Sequence, residues 1–277
     1  MRHSPDPAMR FFSLILCVLF VLPASAQDWA VAALDASPRH HEWTTVESRD
    51  RDLHLFVAYP ESSEPAPTFI VIHENRGLTD SVRLFADQAA EAGYLAVAVD
   101  LLSGFDEQHG RTSDFESSDA ARSALYELDP DGITQDLLAA QAYALGLPAS
   151  DGLLFVAGFC WGGSQTFRFA TNSDALVGAM VFYGSSPEEG YERIEAPVWG
   201  FYGENDARIN RQIPGTETAM EELGKTYHPV IYPGAGHAFM RRGDDPSTGA
   251  DDPNKQARDA AWERIRMLVT LVQAEQG

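Results

Sequence analysis

Cysteine is scarce in this chain of 277 residues, which contains only Cys17 and Cys160. Cys17 lies in an apolar stretch near the N-terminus, and Cys160 lies in the Gly-rich segment GFCWGG at residues 158–163. Exported proteins usually pair their cysteines in disulfides. If the N-terminal stretch is removed, Cys160 has no intramolecular partner and stays a thiol that can be oxidised. The scarcity of cysteine therefore excludes a disulfide framework and makes Cys160 the first residue to explain.

Long apolar runs are also few, and the one near the N-terminus is too short to span a membrane. Arg2 and Arg10 precede the run FFSLILCVLFVLP, and the small-residue site ASA follows it at 24–26. A basic start, a short apolar run and an Ala-x-Ala site are typical of a secretory signal peptide. We predict that residues 1–26 are a signal peptide, with Met9 as an alternative start. The mature protein is then expected to be soluble and exported, either periplasmic or secreted, with no membrane contact after cleavage.

Basic side chains are few compared with acidic ones. The chain has 20 basic and 41 acidic side chains, a formal net charge of −21, and its two lysines are Lys225 and Lys255. A field of this sign repels nucleic acids and anionic membranes, so neither is an expected partner. An anionic substrate would need local arginines.

The sequence also lacks the ligand spacing that metal sites require. The run HENRG at 73–77 begins like a His-Glu-x-x-His zinc motif, but its last position is glycine. His40 and His41 lie in the N-terminal lead-in, where a solvated pair is expected. We predict neither a metal nor a cofactor.

What the sequence does contain is a regular alternation of short apolar runs and amphipathic segments. The runs predicted to be strands are 54–60, 68–74, 94–102, 153–159, 175–184, 196–206 and 228–237. The segments predicted to be helices are 81–93, 132–148, 216–225 and 254–275. Continuous apolar strands that alternate with helices indicate an α/β fold, with a mostly parallel central sheet and helices on both faces. We predict a single domain over 27–277, with an irregular lead-in at 27–50.

The segment at 103–132 is long and acidic, and one helix is predicted within it near 118–127. A long loop in a compact α/β domain is often a lid or a binding loop. A solvated surface excursion is the alternative.

The segment GFCWGG follows the predicted strand at 153–159 and precedes a predicted helix that begins near Gly162. Glycines around a nucleophile allow the sharp strand-to-helix turn of the Gly-x-Ser-x-Gly elbow, here with cysteine in place of serine. The N-terminus of the following helix favours a thiolate and can supply an oxyanion hole. Cys160 is therefore a candidate nucleophile, and a buried structural cysteine is the alternative.

A nucleophile of this kind needs an acid and then a histidine further along the chain. Asp206 ends the predicted strand APVWGFYGEND, and His237 follows the last predicted strand in YPGAGHAF. Both lie where open α/β sheets place their sites, at the C-terminal ends of strands. Glu204 is a nearby competitor for the acid, and a turn-forming Asp206 or a solvated His237 are the alternatives.

Two further sites of charge lie at the same predicted sheet edge. His73 and Glu74 close the strand TFIVIHE, where neither is expected to be buried core. Arg241 and Arg242 follow His237 by a few residues. They could hold an anionic substrate group, or form salt bridges with the acidic surface.

Taken together, HENRG, VDLLSG, GFCWGG, FYGENDARI and YPGAGHAFMRR resemble the dienelactone hydrolase family of α/β-hydrolases over about residues 50–275. The resemblance implies the α/β-hydrolase fold and a catalytic triad of Cys160, Asp206 and His237. It also implies that Glu74 contacts the resting thiol and swings away when substrate binds, so that the thiolate forms.

The resemblance further implies that the backbone N–H groups of Trp161 and Asn75 form the oxyanion hole, and that Arg241 binds a substrate carboxylate. One departure concerns Asp100-Leu101, after which well-known members carry a second substrate arginine. Here the next arginine is Arg111. Those members are also cytosolic, whereas this chain has a predicted signal peptide. Both departures leave the substrate open.

The predicted function is thus an exported ester or lactone hydrolase that forms an acyl-thioester on Cys160. Its partner is a small-molecule ester or lactone, and a monomer is expected. Acyl transfer on the same site is an open outcome. The alternative from another class is a non-catalytic ligand-binding or thiol redox-responsive protein, which would need neither Asp206 nor His237.

Overall fold

A computed structural model describes Met1 and residues 28–276 of the chain. The predicted signal peptide lies outside the residues described, apart from Met1.

Within the described residues, eight strands form one sheet in the order β1-β2-β4-β3-β5-β6-β7-β8. The strands are β1 (His41–Ser48), β2 (Arg51–Ala58), β3 (Ala66–Ile72), β4 (Leu95–Val99), β5 (Ser150–Phe159), β6 (Leu176–Phe182), β7 (Val198–Gly203) and β8 (Tyr227–Tyr232). β1 pairs antiparallel with β2, and β2 pairs antiparallel with β4. All the other neighbours are parallel. The predicted mostly parallel α/β sheet is confirmed.

Nine α-helices connect or flank these strands in the part of the chain described. They are α1 (Asp28–Ala36), α2 (Asp80–Glu91), α3 (Ser118–Leu125), α4 (Pro130–Gly146), α5 (Trp161–Ala170), α6 (Ala207–Asn210), α7 (Ile213–Glu222), α8 (Phe239–Asp244) and α9 (Pro253–Gln276). The predicted helix at 132–148 begins two residues earlier, because Asp129 caps it by accepting a hydrogen bond from the Gly132 N–H at 2.9 Å.

The two faces of the sheet form two separate apolar layers, as side-chain alternation along the strands requires. Val71 of β3 faces a layer closed by α1, α2, α8 and α9, where Phe85 and Trp262 stack at 4.8 Å between ring centroids. Ile70 and Ile72 face the opposite layer, closed by α4, α5 and α7. The helices on both faces confirm the predicted arrangement. The strands β3 and β4 are buried along their whole length, which explains their continuous apolar sequences.

The prediction of an irregular lead-in at 27–50 is wrong. This stretch forms α1 and the edge strand β1, which pairs with β2 from His41–Ala58 to Ser48–Arg51. The mostly polar sequence of β1 suits an edge strand with one solvated face, and a strand of this kind contains no apolar run that would predict it.

The expected solvated histidine pair is also wrong for one of its members. His41 places Nε2 2.7 Å from Oδ1 of the buried Asp87 on α2. Asp87 also accepts hydrogen bonds from Ser37 at 2.6 Å and from Arg39 at 2.8 and 2.6 Å. This hydrogen-bond network holds residues 37–41 against α2.

The acidic segment at 103–132 is folded onto the sheet edge. Thr112 donates its backbone N–H and its hydroxyl to the carboxylate of Asp100, at 2.8 and 2.6 Å. The helix predicted near 118–127 is confirmed as α3, and Ala121 and Leu125 of this helix pack in a small cluster that includes Trp161. The segment therefore lies beside the residue that follows Cys160.

The last predicted strand, 228–237, is too long. β8 ends at Tyr232, because the chain turns at Gly234, whose φ of +67° is a left-handed conformation that glycine tolerates. The turn leaves the following residues in a loop at the sheet edge. No helix in the described part of the chain is long and apolar enough to cross a bilayer.

Candidate active site

The predicted site residues lie at the C-terminal edge of the parallel strands. Glu74 follows β3, Cys160 follows β5, Asp206 follows β7, and His237 and Arg241 follow β8. In parallel strands these ends meet at one edge of the sheet, which is where open α/β folds place their sites. The structure thus brings together side chains that are far apart in sequence.

Cys160 lies at a sharp turn between β5 and α5. Its backbone has φ 56° and ψ −114°, values that a non-glycine residue rarely adopts. Its N–H donates to the carbonyl of Phe182 at 3.0 Å, and its own carbonyl accepts from the N–H of Ser164 at 3.2 Å. These bonds hold the strained residue between β6 and the first turn of α5, and they fix where the thiol points.

Glycines around Cys160 leave no room for side chains. A Cβ on Gly158 would lie 2.3 Å from the carbonyl oxygen of Gly162. A Cβ on Gly162 would lie 2.2 Å from the carbonyl oxygen of His73, and one on Gly163 would lie 2.5 Å from that of Phe182. The repeated glycines of GFCWGG therefore permit close approach of α5 to the ends of β3 and β6.

Burial raises the pKa of the Cys160 thiol most, and the negative charge of Glu74 raises it further, whereas the nearby backbone N–H groups of Trp161 and Asn75 lower it. The net direction is upward, so the resting group is a thiol at neutral pH. The same two N–H groups would face an oxyanion formed beside the sulfur.

Asp206 and His237 are hydrogen-bonded to each other. Oδ2 of Asp206 lies 2.5 Å from Nδ1 of His237, and the Asp206 side chain is 7% exposed while that of His237 is 31% exposed. A carboxylate at Nδ1 holds the proton there and leaves Nε2 free to accept one. Glu204, the competitor for this role, accepts a hydrogen bond from the Gly234 N–H at 2.8 Å instead.

Tyr183 is a neighbour of this pair that the sequence analysis missed. It follows β6 and is fully buried, with its ring centroid 5.0 Å from that of His237. Its hydroxyl has no hydrogen-bond partner among the described residues. Burial, with the charges of Glu74 and Cys160, raises the pKa of Tyr183 well above its usual value. The sequence signal that could have identified Tyr183 as a site residue is its position at the end of the predicted strand ALVGAMVFYG.

Glu74 and Arg241 form an ion pair at the same edge. Nε of Arg241 donates to Oε2 of Glu74 at 3.2 Å, and the other carboxylate oxygen is buried with no partner in the described residues. Both residues line a small cavity together with Tyr183 and the apolar side chains of Phe85 and Phe159. Arg241 therefore already has a carboxylate partner inside the site.

The expectation that His73 lies outside the core is wrong. His73 is fully buried, and its ring is stacked on Trp161 at 5.6 Å between centroids. Nδ1 lies 2.8 Å from the carbonyl oxygen of Glu74, and Nε2 accepts the N–H of Leu101 at 3.3 Å. A neutral ring protonated at Nδ1 satisfies both contacts, and burial lowers the pKa of this histidine. His73 thus supports the loop that carries Asn75.

Among the described residues, no hydrogen bond joins the thiol of Cys160 to the ring of His237. No group of three or more His, Cys, Asp or Glu side chains within the same residues is placed to hold a metal ion. The chemistry that this edge can support is nucleophilic attack by sulfur next to an oxyanion site, with a histidine oriented by a carboxylate.

Comparisons with known proteins show which proteins this chain is similar to. The family model described as "Dienelactone hydrolase family" matches residues 53–272. A Methylorubrum extorquens protein named as a carboxymethylenebutenolidase is 30% identical over 235 residues, which cover 80% of this chain and 79% of that protein. A Bradyrhizobium protein named as a 2-oxo-3-(5-oxofuran-2-ylidene)propanoate lactonase is 26% identical, covering 72% of this chain and 83% of that protein. The structure of a Klebsiella pneumoniae protein named as a dienelactone hydrolase has a TM-score of 0.70 at 23% identity, covering 82% of this chain and 96% of that one.

Proposed function

Because this chain belongs to the dienelactone hydrolase family, with the α/β-hydrolase fold, we propose that it hydrolyses carboxylic esters or lactones through a Cys160-His237-Asp206 triad. The observation that carries this proposal is the hydrogen bond between Asp206 and His237 at the sheet edge where Cys160 sits on its strained turn. A redox-responsive thiol would need neither of these partners, so the pair favours catalysis over that alternative.

The proposed reaction has two halves. In the first, the thiolate of Cys160 attacks the carbonyl carbon, and the oxyanion accepts hydrogen bonds from the N–H groups of Trp161 and Asn75. The C–O bond to the leaving alkoxide breaks, and protonated His237 supplies its proton. In the second half, His237 takes a proton from water, which attacks the acyl-thioester and releases the carboxylic acid and the thiol.

Glu74 has a proposed role before the first half. Burial raises the pKa of Cys160 most, and the charge of Glu74 raises it further, so both keep the resting sulfur protonated. A substrate anion that binds Arg241 would compete with Glu74 for the guanidinium and release the carboxylate. Once Glu74 has moved, Nε2 of His237 takes the thiol proton, which is the proton that it later gives to the leaving alkoxide, so that the nucleophile forms when substrate is present.

The names of the relatives support esters and lactones as the substrate class. Carboxymethylenebutenolidase and the furan-2-ylidene lactonase are both names for hydrolases of lactone rings. We extend that class, and not an individual lactone, to this chain. We also propose that the protein is exported. Fractionation of cells that express the full chain tests this, and retention of the uncleaved protein in the cytoplasm would contradict it.

Hydrolysis of short aryl esters and a panel of small lactones tests the proposed reaction. We expect Cys160→Ala and His237→Ala to lose at least about a thousandfold in kcat/KM. Mass spectrometry of the quenched wild-type reaction should find the acyl group on the peptide that contains Cys160. Asp206→Asn should also lose most of its activity, because Nδ1 of His237 loses its carboxylate partner.

Ser164→Ala is the matched control. Ser164 lies one turn after Cys160 and is the serine nearest in sequence to the proposed nucleophile. Its hydroxyl accepts a hydrogen bond from the Ser185 N–H at 2.8 Å. This variant should keep most of the wild-type activity. Equal rates for wild type and Cys160→Ala, or loss in Ser164→Ala alone, would overturn the assignment of the nucleophile.

A further inference from the structure

The loop that follows β3 carries both Glu74 and Asn75, and the segment that follows β4 contacts it at both of its ends. At the first end, the ring of the buried His73 accepts the N–H of Leu101 through Nε2 at 3.3 Å. The other ring nitrogen, Nδ1, lies 2.8 Å from the carbonyl oxygen of Glu74. The beginning of the loop is therefore held against the end of β4.

At the second end of the loop the contact is made by Thr112, a residue of the acidic segment at 103–132. The backbone N–H of Leu78 donates to Oγ1 of Thr112 at 2.9 Å. Gly77, with φ +79°, lies so close to Thr112 that a Cβ on it would be 2.3 Å from the same oxygen. Glycine at this position therefore leaves the space in which the Thr112 hydroxyl lies.

Thr112 is itself fixed by Asp100, which directly follows β4 and is 1% exposed. Oδ1 of Asp100 accepts the Thr112 hydroxyl at 2.6 Å, and Oδ2 accepts the Thr112 N–H at 2.8 Å. Because the hydroxyl donates its one proton to this carboxylate, its oxygen is free to accept the N–H of Leu78. Hydrogen bonds to a buried charged group are stronger than neutral ones, so Asp100 fixes the acceptor that the loop uses.

Between these two ends lies Asn75, whose backbone N–H is one of the two proposed oxyanion donors. Such a donor is effective only when it is held at about 3 Å from the position that the oxyanion will take. A further contact joins the loop to the acidic segment, since Nη1 of Arg76 donates to Oγ of Ser118 on α3 at 3.2 Å. The helix α3 packs in the cluster that includes Trp161, the residue of the other proposed donor. The acidic segment thus contacts the surroundings of both donors.

We propose that Thr112 is a positioning residue, which holds the loop of residues 74–78 so that the N–H of Asn75 stays directed at the oxyanion site. This inference rests on the proposed ester and lactone hydrolysis. In this proposal the part of the acidic segment around Thr112 is a fixed support for the site, since a lid that opened there would break the hydrogen bonds to Asp100.

The first test measures steady-state hydrolysis by Thr112→Val, which removes the hydroxyl at nearly unchanged size and leaves the Leu78 N–H without its acceptor. We expect kcat to fall about tenfold or more and KM to stay within about twofold, because oxyanion hydrogen bonds act mainly in the transition state. Thr112→Ser keeps the hydroxyl and should retain most of the wild-type kcat. A role in stability alone would lower the free energy of unfolding and leave kcat per folded molecule unchanged.

Thr79→Val is the matched control, since it makes the same substitution one residue after Leu78, where the Thr79 hydroxyl lies 3.2 Å from that of Ser81. Its kcat should stay close to that of the wild type. An unchanged kcat in folded Thr112→Val, or an equal fall in Thr79→Val, would overturn the inference. If Thr112→Val does not fold, Thr112→Ala is judged by the same two outcomes.

The second test does not require hydrolysis. Cys160 in the full chain is alkylated with iodoacetamide at neutral pH, and mass spectrometry follows the Cys160 peptide so that Cys17 does not interfere. In Thr112→Val the rate should rise about threefold, because a loosened loop reduces the burial of the thiol and moves Glu74 away from it, and both raise the pKa of Cys160. Thr112→Ser and Thr79→Val should keep the wild-type rate.

An unchanged alkylation rate in Thr112→Val would show that the loop keeps its place without the hydroxyl, and it would overturn the inference. If the wild type hydrolyses no ester or lactone while this rate still rises in Thr112→Val alone, the proposed function fails and the support of the loop by Thr112 stands.

Discussion

Glu74 and Arg241 are 167 positions apart in the chain, yet Nε of Arg241 donates to Oε2 of Glu74 at 3.2 Å next to the thiol of Cys160. The pair joins the end of β3 to α8 across the edge of the sheet. Its carboxylate adds to the effect of burial in raising the pKa of the thiol, and we propose that a substrate anion competes for its guanidinium. In this proposal, one ion pair links substrate binding to the protonation of the nucleophile.

The first prediction concerns Glu74→Gln and the pH dependence of Cys160. Because burial and the Glu74 charge both raise the pKa of the thiol, removal of the charge should lower this pKa without returning it fully to its usual value. The iodoacetamide rate should therefore rise several-fold at neutral pH, and its midpoint should move to lower pH. Glu204→Gln, which alters a carboxylate bound to Gly234, is the control and should leave the curve in place. An unmoved midpoint in Glu74→Gln would contradict this account.

The second prediction separates the two neighbouring arginines of α8. Arg241 is paired with Glu74, whereas Arg242 is exposed. Arg241→Gln should reduce kcat/KM for anionic esters about tenfold or more relative to neutral ones, because a charge-assisted hydrogen bond to the substrate is lost. Arg242→Gln should change the two classes equally. Steady-state kinetics on a matched pair of esters measures this, and an equal loss on both in Arg241→Gln would argue against a carboxylate-binding role.

The third prediction compares two glycines. A Cβ on Gly162 would lie 2.2 Å from the His73 carbonyl oxygen and 2.5 Å from that of Ile72, whereas a Cβ on Gly215 in α7 meets no atom within 4 Å. Gly162→Ala should therefore lower the free energy of unfolding by at least about 2 kcal/mol. Gly215→Ala should raise it by about 0.5–1 kcal/mol, since alanine restricts the unfolded chain. Urea unfolding measures both, and equal stabilities would show that α5 can move away from β3.

The fourth prediction concerns the buried Asp87. Burial would raise the pKa of this carboxyl, but hydrogen bonds from Arg39, Ser37 and His41 outweigh it, and the net pKa is lowered. Asp87→Asn should cost about 3 kcal/mol of unfolding free energy at neutral pH, because it breaks a buried pair. The control, Asp80→Asn, removes a carboxylate that is 31% exposed and paired with Arg83, and should cost about 1 kcal/mol or less.

The Asp87 effect should also depend on pH. A carboxylate whose pKa is lowered by folding stabilises the protein above its unfolded pKa, and this contribution disappears as the pH falls through the folded value. The difference between wild type and Asp87→Asn should therefore shrink below about pH 4, near the ordinary carboxyl pKa. A difference that stays constant into strongly acidic solution would show that the charge of Asp87 is not what stabilises the protein.

The parallel sheet, its covering helices and the turn at Cys160 follow from local patterns. Continuous apolar runs such as that of β3 can only be buried on both faces, and the glycines of GFCWGG permit a backbone that other residues cannot adopt. Asp206 and His237 were predictable for the same reason, since each follows a strand and parallel strands end at one edge. β1 escaped prediction because an edge strand does not need an apolar sequence.

Long-range contacts were decided by the tertiary structure, because they depend on how distant elements pack and not on spacing along the chain. The sequence pattern does not distinguish Glu204 from Asp206 as the partner of His237. The structure does, because Asp206 contacts the His237 ring whereas Glu204 accepts the N–H of Gly234. Nor does the sequence pattern show that Arg241 turns back onto Glu74. Local motifs determine the residue types of the site. The pKa of the Cys160 thiol depends instead on groups from distant elements, which come together only when the sheet has formed.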